Sequence, residues 1–383
     1  MMNLQEQTST AFYVFDIAKL RDRIAYLKAH LPENLQLCYA VKANTFLVPD
    51  IQNMVGRMEI CSPGEALICE KAGVPEDHMV ISGVYKDPHV MDDMVKSFDG
   101  RIYTIESMTQ FQLLSGLAEK YQRKLPLLLR LTNDSQFGIR ADEIESIIAN
   151  RDQYPYLYIQ GIQFFSGTQK TSYKKLDREL RKLDQLLTDL KEKYNYVAEE
   201  LEYGTGFPVV YFQDEHFDEE ELLREFSASV GRMVNKPAMY IELGRSIAAC
   251  CGTYYTHVVD LKQNGGQNYL VTDGGMHHLV YFGQHMAMRQ PFLSVCGKET
   301  QEPTAVYHIC GALCSMNDIL VKQVSLPTME IGDTICFENT GAYCMTEGIA
   351  LFLSRDLPTI YLKEENGNFK CVRPSTSTHL LNS

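Results

Sequence analysis

Eight short runs rich in β-branched and aliphatic residues recur through the first 245 residues, and segments with helical periodicity separate them. The runs are LCYAV (37–41), MEIC (58–61), MVIS (79–82), RIYTI (101–105), PLLLRLT (126–132), YIQGIQFF (158–165), AEELEY (198–203) and AMYIEL (238–243). The clearest helical segment contains Leu176, Leu180 and Leu183, which follow one another at intervals of four and three. Eight strands that alternate with helices predict an α/β fold, a (β/α)8 TIM-like barrel.

The main alternative to a barrel is a doubly wound open sheet. Dinucleotide-binding sheets of that kind carry a Gly-x-Gly-x-x-Gly turn after the first strand. Here the first strand is followed by Lys42, Ala43 and Asn44. The absence of this turn favours the barrel.

The sequence changes character near residue 246. From there strand-like runs dominate, and helical periodicity is weak. The runs are GTYYTHVVDL (252–261), NYLVTDG (268–274), TAVYHICG (304–311), DTICFEN (333–339) and PTIYL (358–362). We therefore predict a barrel over residues 22–245 followed by an all-β C-terminal domain over 246–383. The N-terminal segment 1–21, which contains the strand FYVFD, is expected to join that β-domain.

Composition and charge exclude several classes of protein. No apolar run approaches the ~18–20 residues of a membrane span, and the N-terminus lacks the features of a secretory signal. The net charge is −13, and there is no basic cluster for nucleic acid. The eleven cysteines contain no Cys-x-x-Cys pair. We therefore expect a reduced, cytoplasmic protein that binds no metal, no membrane and no nucleic acid.

Polar residues that follow the strands are the candidate site residues, because active sites of such barrels lie at the C-terminal ends of the strands. The candidates are Lys42, Ser62, Gln163, Phe165, Gly204, Thr205, Gly206, Glu242 and Arg245. A partly desolvated lysine has a lowered pKa and forms Schiff bases with carbonyl compounds. By residue type alone, Lys42 could equally be a surface lysine, and Glu242 with Arg245 a structural ion pair.

Nine segments resemble, in the right order, the motifs of the fold type III pyridoxal-phosphate (PLP) decarboxylases, the diaminopimelate and ornithine decarboxylase family. They are CYAVKAN (38–44), MEICSPGEA (58–66), QFGI (136–139), GIQFFSGTQ (161–169), EYGTGFPVVY (202–211), IELGRSI (241–247), VTDGGMHH (271–278), GALCSMND (311–318) and ENTGAY (338–343). The resemblance covers nearly the whole chain. The pieces SGTQ, DGGMHH and LC-x-x-x-D resemble a biosynthetic subgroup that includes the butirosin carrier-protein glutamate decarboxylase and siderophore-pathway decarboxylases.

The resemblance implies the chemistry of three residues. Lys42 would hold PLP as a Schiff base until the substrate amine displaces it. Glu242 would face the pyridine nitrogen and keep it protonated, which makes the ring an electron sink and favours decarboxylation over racemisation. Cys314 would reach the site from the partner subunit of a homodimer and protonate the carbon that loses CO₂. By residue type alone, such a cysteine is more often a buried thiol.

The resemblance also implies the residues around the cofactor and substrate. Phe165 would stack on the PLP ring, and the backbone of Gly204, Thr205 and Gly206 would face its phosphate. The other implied cofactor contacts are Gly244, Arg245 and Tyr343, and the implied substrate contacts are Asp273, Ser315 and Asp318.

The chain departs from the family pattern at several of these positions. Phe165 replaces a histidine that stacks on the ring, and Thr205 replaces the middle glycine of the phosphate loop, where a side chain reduces backbone freedom. Ser315 replaces the acidic residue that follows the cysteine in diaminopimelate and ornithine decarboxylases. Tyr281 stands where diaminopimelate decarboxylase has an arginine. These differences predict a substrate without a free distal ammonium group.

The sequence thus predicts a PLP-dependent decarboxylase that removes the α-carboxylate of a free or carrier-bound amino acid. Two alternatives stay open at this point. One is a PLP-dependent racemase or epimerase on the same scaffold, and the other is a non-catalytic PLP-binding homologue.

Overall fold

A computed structural model describes residues 10–97 and 100–383. The first nine residues of the predicted N-terminal segment lie outside the described residues. The chain forms two compact units. The barrel unit comprises residues 24–208 and 218–246, and the sheet unit comprises the residues up to 23 together with 209–217 and 247–383. The sequence predicted boundaries after residues 21 and 245, whereas the division from the structure places them after 23 and 246 and also assigns the loop 209–217 to the sheet unit.

Eight parallel strands close into a barrel, in which each strand pairs with the next along the chain and the last pairs with the first. They are β2 (Leu35–Ala40), β3 (Arg57–Ile60), β4 (Met79–Ile81), β5 (Ile102–Ile105), β6 (Leu125–Leu131), β7 (Leu157–Phe165), β8 (Glu200–Gly204) and β9 (Ala238–Leu243). This closed barrel confirms the predicted fold class. All eight predicted strands overlap observed ones.

The helices are α1 (Ile17–His30), α2 (Val48–Ile51), α3 (Pro63–Ala72), α4 (Pro88–Lys96), α5 (Met108–Tyr121), α6 (Ala141–Ala149), α7 (Tyr173–Tyr194), α8 (Glu219–Arg232) and α9 (Arg245–Ala248). In α7 the leucines at positions 176, 180, 183 and 187 are all buried, and the exposed positions are mainly lysines and arginines. The helix therefore covers the barrel with its apolar stripe, as its periodicity predicted. Within the described residues no helix is both long and apolar enough to cross a membrane.

The sheet unit contains nine strands among the described residues. They are β1 (Phe12–Asp16), β10 (Gly252–Asn264), β11 (Gln267–Thr272), β12 (Leu293–Val295), β13 (Ala305–Cys310), β14 (Ile319–Leu326), β15 (Thr334–Phe337), β16 (Thr359–Lys363) and β17 (Phe369–Arg373). The main path runs β14-β13-β11-β10-β1-β16-β17, and β15 pairs with β10 and β12. Strand β1 lies between β10 and β16, so the N-terminal strand is an interior strand of this sheet.

Candidate active site

Lys42 lies at the C-terminal end of β2, in a short turn that follows the strand. Its Nζ donates to Glu59 Oε2 at 2.5 Å and to Cys61 Sγ at 3.3 Å. The Lys42 side chain is 42% exposed, whereas that of Glu59 is 4% exposed. Burial acts to raise the pKa of Glu59, but the Lys42 ammonium and the Cys61 thiol outweigh it and hold that pKa below its usual value. A buried carboxylate therefore orients an accessible amine.

The start of α3 fixes the position of Cys61. Ser62 Oγ accepts from the Glu65 backbone N–H at 3.2 Å, and Glu65 Oε2 accepts from the Cys61 backbone N–H at 2.7 Å. This reciprocal arrangement resembles a capping box, and Pro63 occupies the first turn of the helix. Cys61 Sγ then donates to Glu59 Oε1 at 2.9 Å. Ser62, a candidate by its place after a strand, thus serves as a helix cap.

A pair of neighbouring carboxyl groups, those of Glu202 and Glu242, lies on β8 and β9. Gln163 Nε2 donates to Glu242 Oε1 at 2.5 Å. The carboxyls of Glu242 and Glu202 lie on neighbouring strands, within hydrogen-bonding reach of each other. Burial raises the pKa of both carboxyls, reinforced at Glu202 by the charge of Glu242 and at Glu242 by the charge of Glu59. Glu202 is fully buried, whereas Glu242 keeps partial exposure. Glu242 is therefore the member of the pair that a bound molecule can reach.

A glycine turn follows β8. A Cβ on Gly204 would lie 2.3 Å from Phe165 Cδ2, so the phenyl ring packs directly on this glycine. Gly206 has φ +62°, and a Cβ there would lie 2.1 Å from the Gly167 carbonyl oxygen. Thr205 has no positive φ, so a side chain at the middle position of the turn is tolerated. Its hydroxyl is buried and has no hydrogen-bond partner among the described residues.

Glu179 of α7 holds the loop that follows β7. It accepts from Ser166 Oγ at 2.5 Å, from Lys170 Nζ at 2.8 Å and from Tyr203 Oη at 2.5 Å. The Lys170 backbone N–H donates to the Gly206 carbonyl at 2.9 Å. One carboxylate thus ties the loop that contains Gly167 to the glycine turn after β8.

Replacing Glu179 by glutamine should destabilise the protein by about 3 kcal/mol at neutral pH, because it leaves the buried Lys170 ammonium without its counter-charge. Urea unfolding measures this loss of stability, and Glu192→Gln on the exposed face of α7 is the control.

The surrounding donors outweigh burial and lower the pKa of Glu179. Its contribution should therefore be complete above the unfolded pKa and disappear as the pH falls through the folded pKa. Equal stability of Glu179→Gln and Glu192→Gln would contradict the role of Glu179 as the counter-charge of Lys170.

The remaining cofactor candidates of the barrel unit follow β9. Gly244 connects the strand to α9, and Arg245, the first residue of α9, is buried. Lys42, Phe165, the glycine turn, Glu242 and Arg245 thus all lie after or near the C-terminal ends of barrel strands. Their individual roles toward a cofactor stay predictions.

Several charged residues inside the barrel were missed by sequence reasoning. Arg57 donates to Glu200 from Nη1 and Nη2 at 2.7 and 3.0 Å, and Arg130 donates to Glu106 at 2.8 Å. Lys86 is buried, and burial lowers its pKa to about 8. The available signal was a charged residue within an otherwise apolar strand, such as Glu59 in MEIC or Arg130 in LLLRL.

Cys314 lies in the sheet unit, exposed on the loop between β13 and β14. Asp318 shapes this loop, because its Oδ1 accepts from the Met276 N–H and its Oδ2 from the Leu313 N–H, both at 2.7 Å. A Cβ on Gly311 would lie 2.3 Å from Asp318 Oδ2, which explains the glycine there. Asp318 therefore holds the loop that presents Cys314, and its predicted contact with substrate stays a prediction.

The other candidates of the sheet unit have clear surroundings within that unit. Asp273 accepts from Thr256 Oγ1 at 2.6 Å and pairs with His257 Nδ1 at 2.7 Å. Ser315 is half-buried and next to Cys314. Tyr343 is half-buried with φ +64°, a left-handed conformation that costs energy for a bulky residue and is often found at functional sites.

Tyr281 is a packing residue in this structure. It is buried, its hydroxyl donates to the Glu338 carbonyl at 2.5 Å, and its ring contacts Tyr211 and Phe212. The position at which diaminopimelate decarboxylase has an arginine is therefore occupied by an uncharged, buried side chain.

Comparison with known proteins identifies the relatives of this chain. A family model described as "Pyridoxal-dependent decarboxylase, C-terminal sheet domain" matches residues 12–341. The L-glutamyl-(BtrI acyl-carrier protein) decarboxylase of Niallia circulans is 26% identical, over 97% of this chain and 92% of the relative. The 2-((L-alanin-3-ylcarbamoyl)methyl)-2-hydroxybutanedioate decarboxylase of Staphylococcus aureus is 26% identical, over 92% of this chain and 94% of the relative.

A solved structure supports the same architecture. The crystal structure of the diaminopimelate decarboxylase from M. jannaschi superimposes with a TM-score of 0.87. The superposition covers 99% of this chain and 93% of the crystallised chain, and the two sequences are 20% identical. At this identity the likeness concerns the fold.

Proposed function

The chain belongs to the pyridoxal-dependent decarboxylase family, and we propose that it removes the α-carboxylate of an amino acid whose distal end is acylated or joined to a carrier protein. The predicted PLP cofactor and the predicted class of decarboxylase are confirmed by the family match and by the relatives. The substrate, the residue roles and the assembly are the proposed parts.

The residues at the carboxyl ends of the barrel strands suit PLP in their chemistry. Lys42 offers an accessible amine, which would hold the cofactor through its aldehyde group. Glu242 offers a partly exposed carboxyl group for a protonated ring nitrogen. The buried Thr205 hydroxyl, which has no partner within the described residues, and the adjoining turn at Gly206 offer polar groups to a phosphate. When bound, PLP supplies an electron sink for the electron pair that decarboxylation leaves on the α-carbon.

Each side chain around the proposed cofactor site would have a different role. Glu59 holds the Lys42 amine in position and balances its charge. Glu242 holds a proton at the ring nitrogen of the cofactor, and Gln163 orients Glu242 by donating to its Oε1. Phe165, packed on Gly204, offers an aromatic face for the ring but no proton. The observation that carries the proposal is the placement of Lys42, Glu59 and Glu242 on adjacent strands at one end of the barrel.

An assay of CO₂ release from a panel of free and carrier-bound amino acids tests the reaction. Product analysis separates the alternatives, since a racemase or epimerase would invert the α-carbon without releasing CO₂. A non-catalytic homologue would bind PLP and do neither. Release of CO₂ from none of the panel, by protein loaded with PLP, would contradict the proposal.

We also propose a homodimer with shared active sites. The exposure of Cys314 supports this arrangement, because an exposed thiol can contact a second subunit. Asp318 fixes the conformation of the Cys314 loop by accepting from the Leu313 N–H. Cys314 would then donate a proton to the carbon that has lost CO₂.

The neutral residue at position 315 supports the proposed substrate class. A free distal ammonium needs a carboxylate when it is desolvated, and Ser315 offers only a hydroxyl. The names of the two relatives describe an amino acid joined through an acyl or amide bond to a larger group. A carrier-bound or acylated amino acid fits this pattern.

Free ornithine, lysine and meso-diaminopimelate should be poor substrates, with kcat/KM well below ~10⁴ M⁻¹s⁻¹. Ser315→Asp should raise kcat/KM for ornithine and lysine roughly ten- to a hundredfold, the value of one charge-assisted hydrogen bond. The control is Ser325→Asp, which adds the same charge at an exposed position of β14. Efficient turnover of free basic amino acids by the wild type would refute the substrate class and leave the decarboxylase assignment intact.

We further propose that the enzyme works in the cytoplasm. None of the eleven cysteines, all of which lie in the described residues, forms a disulfide. This is the state expected in a reducing compartment.

A further inference from the structure

Glu202 is a buried carboxyl group one strand away from Glu242. It lies in the middle of β8, in register with Gln163 of β7 and Tyr240 of β9. Its side chain is 0% exposed, so water does not stabilise a charge there. Its ion pair with Arg57 is long, 3.4 Å from Arg57 Nη1 to Glu202 Oε2.

The guanidinium of Arg57 is committed to another residue. It binds Glu200 through two nitrogens at 2.7 and 3.0 Å, and it stacks on the Tyr240 ring at 3.4 Å. The second oxygen of Glu202, Oε1, is buried and receives no hydrogen bond from an N–H or O–H group of the described residues. Glu202 thus lacks the donors that a buried carboxylate needs.

A hydrogen bond between the neighbouring carboxyls of Glu202 and Glu242 requires a proton. Two carboxyl groups form a hydrogen bond only when one of them is protonated, since an ionised carboxylate is an acceptor alone. Glu242 already accepts from Gln163 Nε2 and is partly exposed, whereas Glu202 is wholly buried. The proton therefore belongs on Glu202, with Glu242 as the acceptor.

The surrounding charges agree with one negative charge on the pair. The groups that act most strongly on the pair are Arg57, Glu200, Lys42, Glu59 and Arg130. Arg130 is itself paired with Glu106, and the charge of Glu106 also acts on the buried Lys86. With these two groups included, the cluster holds four cations and three carboxylates. A single carboxylate on the pair makes this cluster neutral, whereas a second would leave a net charge inside the barrel.

We propose that Glu202 is a positioning residue that stays protonated at neutral pH and donates a hydrogen bond to the Glu242 carboxylate. With this donor and Gln163, Glu242 stays ionised and fixed in orientation, ready to hold the proton at the cofactor ring nitrogen. Without it, Glu242 takes up a proton itself and presents a neutral acid to that nitrogen. The inference rests on the proposed role of Glu242 and adds the group that maintains its charge.

Infrared spectroscopy of the protein without PLP tests the proton directly. The wild type at neutral pH should show a carboxylic acid C=O band that Glu202→Gln lacks, while the exposed control Glu192→Gln retains it. Glutamine has nearly the shape of the protonated acid, and thermal melting verifies its folding. Identical carboxylic acid bands in wild type and Glu202→Gln would overturn the proposal.

Two substitutions then separate positioning from packing. Glu202→Gln still donates to Glu242 and should keep PLP affinity and kcat within about threefold of wild type. Glu202→Leu cannot donate and should lower kcat roughly ten- to a hundredfold and weaken PLP binding, with KM nearly unchanged. Equal losses in both variants, or full activity of Glu202→Leu, would refute the positioning role.

The outcomes distinguish this inference from the proposed function. The infrared band does not depend on the cofactor, so it reports on Glu202 even if the barrel end holds no PLP. Conversely, a wild type that binds PLP and releases CO₂, but lacks the band, would refute only the role of Glu202.

Discussion

Lys42→Ala protein should lose the borohydride-reducible link to PLP and at least ~10²–10⁴-fold in turnover, the range for removing a positioned proton-transfer group. The purified wild type should be yellow, and borohydride should fix PLP to the peptide that contains Lys42. The physical reason is the accessible Nζ held 2.5 Å from Glu59 at the end of β2.

Lys86 is the main alternative to Lys42 as the lysine to which PLP attaches. Burial lowers its pKa to about 8, which makes its amine easier to deprotonate than that of an ordinary lysine. Yet Lys86 is buried, and its Nζ donates to the Gly83 carbonyl at 3.1 Å and to Gln110 Oε1 at 3.2 Å. Lys42→Arg, which keeps the charge beside Glu59, should lose the link as completely as Lys42→Ala. PLP recovered on the Lys86 peptide would show that the assignment of Lys42 is wrong.

Mixing two inactive variants should restore activity. Lys42→Ala and Cys314→Ala homodimers should each be inactive, because each lacks one residue in both sites. A mixed dimer has one site with both substitutions and one site with neither. After full subunit exchange, half of the dimers are mixed, so recovery should reach roughly a quarter of wild-type activity, as expected for a two-fold symmetric dimer.

The control for this experiment is a mixture of Lys42→Ala with Lys42→Arg, which cannot rebuild any site. Mass spectrometry of intact dimers verifies that subunits have exchanged. If mixed dimers form and activity does not return, each chain completes its own site with its own Cys314.

The local pattern of the sequence was sufficient for the architecture of the barrel unit. Strand β9 was predicted over the observed residues 238–243, and the buried stripe of α7 followed from the spacing of its leucines. Burial on both faces of a parallel strand requires a run of apolar residues, and such runs are visible without coordinates. In the sheet unit, β12, β14 and β17 were missed. Strand β12 has three residues, and β17 has lysine and arginine among its five.

The candidate residues of the site could be named from motifs, but their partners could not. Asp318 was predicted to meet the substrate, and the structure adds that its carboxylate accepts from two backbone N–H groups. Thr205 was expected to reduce the backbone freedom of its turn, yet Gly206 adopts the left-handed conformation and Thr205 does not. A single sequence does not show which residue of a turn takes the strained position.

The sequence by itself determined the fold class, the order of the motifs and the identity of Lys42 and Glu242 as candidates, because these depend on local periodicity and on residues close together along the chain. Only the tertiary structure decided that Glu59, Gln163 and Glu202 surround them. These residues come from β3, β7 and β8, which closure of the barrel brings together across more than a hundred residues. The proton placed on Glu202 follows from the same closure, because the charge of a buried carboxyl depends on the neighbours that surround it in space.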